Sequence, residues 1–167
     1  MLPTKLTLEV VTPDRDVVRD DVDFVQMPGL DGYLGVLPGH APLLTELGTG
    51  LLSFRSGGVE HYAALAGGFA EVLGDRVIVL AEVAELGEDI DVMRAQAAQE
   101  RALKIIQQKA EKVDFSIAQS ALERSLVRIE AAKLAGQGVA GMKHRPRGIA
   151  GGERPHYESS ASAAEKK

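Results

Sequence analysis

The stretch that decides the fold is "RVIVLAEVAELGEDIDVMRAQAAQER", residues 76–101, because its hydrophobic pattern changes partway along. As far as Leu86 it is an apolar run rich in Val, as is typical of a β-strand. From residue 90 to about residue 112 there is no Gly or Pro, and apolar residues recur at spacings of 3, 4 and 3. That period predicts a helix. The residues of this stripe are Ala95, Ala98, Ala102 and Ile105.

Before this change, residues 1–86 consist of short apolar segments separated by turn signals. Turns are predicted at Thr12–Asp14, Ser56–Gly58, Gly67–Gly68 and Gly74–Asp75, since Gly reaches the positive φ that tight hairpin turns require. Eight or more strands with regular turns predict a small antiparallel β-sandwich or barrel.

After the change, residues 87–135 contain two predicted helices. The first is expected to be capped by Asp89 or Asp91, since a carboxylate accepts hydrogen bonds from the free N–H groups of the first turn. "EKVDF", residues 111–115, is the predicted break. A second helix is expected over residues 116–134, ended by Gly136. Its stripe consists of Phe115, Ala118, Leu122, Ser125, Ile129 and Ala132.

Two Ala-rich stripes joined by a short loop predict an antiparallel helical hairpin. Burying an alanine methyl stabilises far less than the roughly 1.5–3 kcal/mol of a Leu or Ile side chain. We therefore expect the hairpin to be marginally stable, to dock on another surface and to be able to undock. The predicted fold class is α+β: an N-terminal antiparallel β-sandwich, a C-terminal two-helix hairpin and a tail.

Composition limits the possible functions. The 167 residues contain no Cys, which fits a reducing compartment and leaves no thiolate ligand for a metal. Residues 1–135 carry a net charge of −8, so nucleic acid is not an expected partner. Neither a signal peptide nor an apolar stretch of about 18 residues is present, so no membrane insertion is expected.

The tail, residues 136–167, has no periodicity and carries a net charge of +3. Its richness in Gly, Ser and Ala predicts disorder. A membrane surface or nucleic acid could attract its basic cluster, but solvated tail charge is the favoured interpretation. The cluster consists of Lys143, His144, Arg145 and Arg147.

The motifs that could indicate an enzyme do not support a catalytic or metal site. Gly29, Gly32 and Gly35 form GxxGxxG, but no predicted helix follows to present a phosphate-binding N-terminus. The four His residues lack metal-ligand spacing, so no metal site is predicted, and no GxSxG elbow is present.

Four arginines of the predicted hairpin form a candidate binding site. Arg94 has Asp91 three residues before it, but Arg101, Arg124 and Arg128 have no acid three or four residues away. In an antiparallel hairpin the two pairs of arginines can face each other. Guanidinium groups suit phosphate oxygens, so the cluster could bind a polyphosphate. The alternative is ion pairs across the hairpin or with the acidic sandwich, and both interpretations stay open.

Over residues 5–135 the chain resembles the epsilon subunit of the bacterial F-type ATP synthase. The resemblance rests on "GYLGVLPGHAPLLTELGTGLL", "LAGGFAEVLGDRVIVLAE" and "IDVMRA", in that order. It implies a non-catalytic subunit of the central stalk, or rotor, of a proton-translocating ATP synthase. Its partners would be the gamma subunit, the ring of c subunits and the alpha/beta catalytic head. It would lie peripherally on the cytoplasmic face of the bacterial inner membrane.

The resemblance also assigns roles to particular residues. The loop from Gly29 to His40 would lie against the c-ring and gamma. The residues expected to make this contact are Gly29, Leu30, Asp31, Gly32, Tyr33 and His40. The hairpin would either fold onto the sandwich or extend into the head and restrain ATP hydrolysis. No cofactor is required, but regulatory ATP would bind the folded hairpin, with acidic residues contacting adenine or ribose and arginines the phosphates. These nucleotide residues are Glu85, Ile90, Asp91, Arg94, Ala95, Arg101, Arg124 and Arg128.

Two other functions compete with this interpretation. One is a stand-alone ATP-binding sensor that serves an unrelated partner. The other is a small hydrolase that uses His40.

Overall fold

The computed structural model describes residues 4–108 and 112–137, and only the backbone of residues 112 and 113. The predicted disorder of the tail beyond residue 137 concerns residues outside this part. The strands of the described chain are β1 (Leu6–Val11), β2 (Asp16–Val22), β3 (Phe24–Gly29), β4 (Gly32–Val36), β5 (Leu43–Glu46), β6 (Gly50–Ser56), β7 (Val59–Leu73) and β8 (Arg76–Leu86). A 3-10 turn (Gly87–Asp89) then leads to helices α1 (Val92–Gln107) and α2 (Lys112–Gln137).

The strands follow the order β2-β1-β8-β7-β6-β3-β4, and β5 pairs separately with β7. Pairing is antiparallel except between β1 and β8, which run parallel. The sheet folds over on itself: β2 contacts β6, where the Ser56 hydroxyl donates to an Asp20 carboxylate oxygen at 2.8 Å. Alternate residues of the strands point inward and form one core of Val, Leu, Ala, Met and Phe. The predicted class, a β-sandwich followed by a two-helix hairpin, is confirmed.

The predicted turn at Gly67–Gly68 was wrong. Both glycines lie inside the continuous strand β7, with φ values of +65° and +119°. A Cβ at Gly68 would overlap the Leu80 carbonyl oxygen and lie 2.8 Å from the Ala81 Cα. The glycines therefore permit a local backbone conformation and a close approach to β8, and the chain does not reverse there.

Two other parts of the sheet do not follow from the local sequence pattern. The acidic segment Asp16–Val22 forms β2. The apolar segment "LLTELGTGLLSF", residues 43–54, forms parts of two strands, β5 and β6. Both pair with the same edge of β7, through Glu46↔Phe69 and Gly50↔Leu65.

The helices agree with the predicted pattern and differ in their ends. α1 ends at Gln107, and α2 begins at Lys112, so most of the expected break belongs to α2. α2 also continues through Gly136 to Gln137. Because only residues 108–111 separate two helices that pack together, the pair is antiparallel.

The buried stripes of the helices are confirmed in their centre and wrong at some positions. Ala95, Ala102, Ala118 and Ser125 are buried. By contrast, Ile105 and Phe115 are exposed, and Ala131, rather than Ala132, is fully buried. The difference arises because α2 also docks on β7 and on the 3-10 turn, so its buried face is broader than the seam with α1.

Candidate functional site

An ion pair joins the sandwich to the hairpin. Arg128, on α2, donates from Nε to Oε2 of Glu85, on β8, at 3.0 Å. The two side chains are 30% and 29% exposed, respectively. Of the two interpretations of the arginines, the folded hairpin therefore shows for Arg128 an ion pair with the acidic sandwich. It also brings together two of the predicted nucleotide residues.

A cleft lies beside this ion pair, between α2 and strands β7 and β8. It is open to solvent and has a volume of about 10 Å³, which is room for about one water molecule. Pockets for drug-sized ligands usually measure about 300–1,000 Å³, so this cleft is too small to enclose a nucleotide. Two arginines and otherwise apolar residues line it: Ala64, Leu65, Ala66, Val83, Arg124, Val127 and Arg128.

The "IDVMRA" motif has structural roles at the start of α1. The Asp91 carboxylate accepts a hydrogen bond from the Arg94 backbone N at 3.0 Å, so Asp91 is the N-cap, one of the two predicted alternatives. Ile90 is buried against Ala64 and Ala131. Ala95 is buried as well, whereas the Asp91 and Arg94 side chains are exposed.

The structure gathers only a part of the predicted nucleotide set. Glu85, Arg124 and Arg128 lie together at the cleft, whereas Arg94 and Arg101 do not line it. Within residues 4–108 and 112–137, the side chains of Arg94, Arg101 and Arg124 form no ion pair. Three cations of the hairpin are therefore left without an acid in the described part of the chain.

Sequence reasoning missed the apolar wall of the cleft. Ala64 and Val83 lie on strands and carry no motif. The pairing of Ala66 with Val83 places β7 and β8 side by side beneath α2. Only the tertiary position of α2 identifies them, so no local signal could have found them.

The predicted contact loop is a tight β-hairpin. Gly29 pairs with Gly32 across the tip formed by Leu30 and Asp31, and Gly32 has φ +133°. The Leu30 N–H donates to the Glu46 carbonyl at 3.3 Å, which ties the tip to β5. Leu30 is nevertheless 62% exposed. The loop thus presents a large apolar side chain on a fixed backbone.

The neighbouring side chains of the loop are held in the same way. The Tyr33 hydroxyl accepts from the Leu51 backbone N at 3.1 Å, while its residue is 57% exposed. The His40 Nδ1 lies 2.7 Å from the Ala41 carbonyl oxygen. Since a carbonyl only accepts, this nitrogen must carry the proton. This bond orients the His40 ring against the adjacent backbone.

Exposed apolar residues also occupy one face of the sandwich. Phe69 and Leu80 lie directly opposite each other on β7 and β8, and both are more than half exposed. Leu44, on β5, is also exposed. Apolar groups that are clustered and exposed are typical of a surface that contacts another protein.

Neither described helix combines the length and apolar character needed to cross a membrane. No group of three or more His, Asp or Glu side chains in the described residues could hold a metal ion.

Comparison with known proteins decides the family. The family model for the β-sandwich domain of the ATP synthase delta/epsilon chain matches residues 5–87. The family model for the long α-helix domain of the same chain matches residues 88–133. The chain belongs to the delta/epsilon family of ATP synthase subunits. The resemblance to the epsilon subunit is confirmed by the curated relatives.

Two of these relatives are named ATP synthase epsilon chain. That of Nitratidesulfovibrio vulgaris strain DP4 is 48% identical over 124 residues, 74% of this chain and 92% of the relative. That of Solibacter usitatus is 49% identical over 131 residues, 78% of this chain and 98% of the relative. A chain in the Euglena gracilis mitochondrial ATP synthase, a structure of OSCP, F1 and the c-ring, matches with a TM-score of 0.69 and 26% identity, over 80% of this chain and 84% of that one.

Proposed function

We propose that this protein is a non-catalytic central-stalk subunit that couples rotation of the c-ring to the catalytic head of an ATP synthase. The observation that carries the proposal is the match to the delta/epsilon chain through both the sandwich and the hairpin. Relatives covered over 92% and 98% of their length share this organisation.

The exposed apolar surfaces give this role a physical basis. The rigid hairpin tip with Leu30 and Tyr33 would contact the c-ring, and the sandwich would be held by gamma. A contact on hydrogen-bonded strands can transmit torque, because the loop backbone cannot move independently of the sheet. The protein would lie peripherally on the cytoplasmic face of the bacterial inner membrane, held by these partners.

The helical hairpin would have a regulatory role. Docked, as here, it covers part of β7; released, it would extend along gamma towards the alpha/beta head and restrain ATP hydrolysis. Exposed apolar side chains on both helices, among them Met93, Ile117 and Leu126, would gain partners in such an extended state. A ligand shifts this equilibrium only by its different affinity for the two forms.

ATP is the proposed regulatory ligand of the docked form. Arg124 and Arg128 border the cleft, and Arg94 and Arg101 lie on the adjoining helix. Arg128 already holds Glu85, so a phosphate group would have to share or replace that bond. A calorimetric titration with ATP tests this proposal: saturable binding should be lost in an Arg94→Ala/Arg124→Ala variant and kept in Arg19→Ala, which removes a sandwich arginine. Absence of binding at millimolar ATP would contradict it.

Association with gamma tests the rotor function itself. Mixed with the gamma subunit of its own complex, the full chain should form a 1:1 complex by size-exclusion chromatography with light scattering, and should hydrolyse no ATP. The arginines of the hairpin that lack ion pairs in the described chain favour one other candidate, a stand-alone ATP sensor. That protein would bind ATP and leave gamma unbound. A hydrolase that used His40 would instead show an activity that His40→Ala removes.

A further inference from the structure

The 3-10 turn between sandwich and hairpin makes an unusually close contact with α2. Gly87 is buried, and a Cβ added to it would overlap the Ala131 carbonyl oxygen and lie 2.8 Å from the Ala135 Cβ. Its φ is not in the left-handed region, so the backbone itself would accept a side chain. Glycine is required at this position by the contact with α2 and not by the local conformation.

The same turn is anchored to the sandwich on its other side. Glu88 Oε1 lies 3.3 Å from Nδ1 of His61, which is 2% exposed. The His61 ring also stacks on Phe54, with ring centroids 5.1 Å apart. Since Phe54 and His61 belong to β6 and β7, the turn is held as a part of the sandwich, and α2 is the element that can leave it.

Apart from the Glu85–Arg128 ion pair, mainly small apolar side chains hold α2 in this place. The apolar cluster between the two units has a buried centre of Ala64, Ile90 and Ala131. Small side chains bury little area, so the docking depends on how closely the backbones approach. The contact at Gly87 sets that approach, because the atom it meets is a main-chain oxygen that no rotamer change can move.

We propose that Gly87 is a docking latch: the missing side chain at this position sets the equilibrium between docked and released hairpin, without any nucleotide. The regulatory meaning of the latch rests on the proposed function, whereas its effect on docking does not. The protein would hold its hairpin docked through Gly87 and Ala131, and a ligand would adjust an equilibrium that this contact has already set.

Hydrogen exchange of the full-length protein, without nucleotide or partner, tests the latch. Amides of α2 exchange through release of the hairpin, while amides of β7 and β8 report on the sandwich. In Gly87→Ala we expect α2 amides to exchange at least about tenfold faster, because overpacking against a fixed backbone atom cannot relax. The matched control is Gly136→Ala, since a Cβ at Gly136 meets nothing within 4 Å; its α2 exchange should not accelerate.

A second variant covers the case in which Gly87→Ala disturbs the sandwich. Ala135→Leu enlarges the same contact from the α2 side, because the Ala135 Cβ lies 2.8 Å from where a Cβ at Gly87 would be, and the sandwich does not contain this residue. It should also accelerate α2 exchange at least about tenfold while β7 and β8 exchange stays unchanged. Unchanged α2 exchange in Ala135→Leu, or in a folded Gly87→Ala, overturns the latch. Because no ATP or gamma is present, this outcome is independent of whether the rotor and nucleotide proposals hold.

Discussion

The Glu85–Arg128 ion pair should contribute measurably to hairpin docking. Exposed pairs contribute about 0–1 kcal/mol, whereas breaking a fully buried pair costs about 3–5 kcal/mol. At 3.0 Å, with side chains 30% and 29% exposed, this pair lies near the exposed end of that range but is partly shielded from solvent. A coupling free energy of about 1 kcal/mol is the expected value, which corresponds to about a fivefold change in the docking equilibrium.

A double-mutant cycle measures that coupling free energy. Glu85→Gln and Arg128→Gln should each accelerate α2 amide exchange, and the double variant should exchange about as fast as the faster single variant. Arg101→Gln is the matched control, since Arg101 is exposed and forms no ion pair in the described part of the chain. Its exchange should equal that of the unchanged protein. Strictly additive effects of the two single substitutions would refute the reasoning, because they would mean that the observed pair carries no coupling.

Two further predictions concern the sandwich. Gly68→Ala should destabilise it by about 2–6 kcal/mol, the sum of backbone strain at φ +119° and overlap with β8. Gly74→Ala, at φ +65° with open space around it, should destabilise it by only about 1–2 kcal/mol. Equal losses of unfolding free energy for the two variants in urea would contradict this prediction. The pKa of Glu60 is lowered chiefly by the hydrogen bond from the Tyr62 hydroxyl, so ionised Glu60 stabilises the fold above its unfolded-state pKa and loses this effect as the pH falls through the lowered value. Tyr62→Phe should raise the pKa of Glu60 in an NMR titration, Tyr33→Phe should not, and an unmoved pKa in Tyr62→Phe would assign the shift elsewhere.

The sequence was most informative where the pattern is local. The change at residues 87–89 separates strands from helices in the structure as it does in the sequence. The Asp91 cap and the buried positions Ala95, Ala102 and Ala118 follow from helical spacing and capping chemistry alone. Such features depend on residues within one or two turns of each other, so a single sequence contains the information that determines them.

The predictions failed where a distant part of the chain decides the outcome. Gly67–Gly68 has the composition of a hairpin turn, but its positive φ values serve a close approach to β8 within one long strand. The acidic segment Asp16–Val22 pairs with β1 despite its composition, because Val17, Val18 and Val22 enter the core. Neither outcome can be inferred from neighbouring residues.

The candidate site shows the same division. The arginines could be identified from the sequence because helical spacing shows that most of them have no acidic residue three or four positions away. The partner of Arg128, however, is Glu85, which lies 43 residues away in sequence. Their pairing depends on how α2 docks, and so does the lining of the cleft. Spacing could therefore identify the cations but could not choose between phosphate and carboxylate as their partner.

The most direct test of the central claim is the ATP hydrolysis rate of the assembled ATP synthase with the full chain and with a chain that ends after Leu86. A stalk subunit with a regulatory hairpin predicts that the truncated chain still enters the complex in the same stoichiometry, and that hydrolysis becomes faster. An unchanged hydrolysis rate in a complex that contains the truncated chain would contradict the restraint by the hairpin. Failure of even the full chain to enter the complex would contradict the stalk assignment itself.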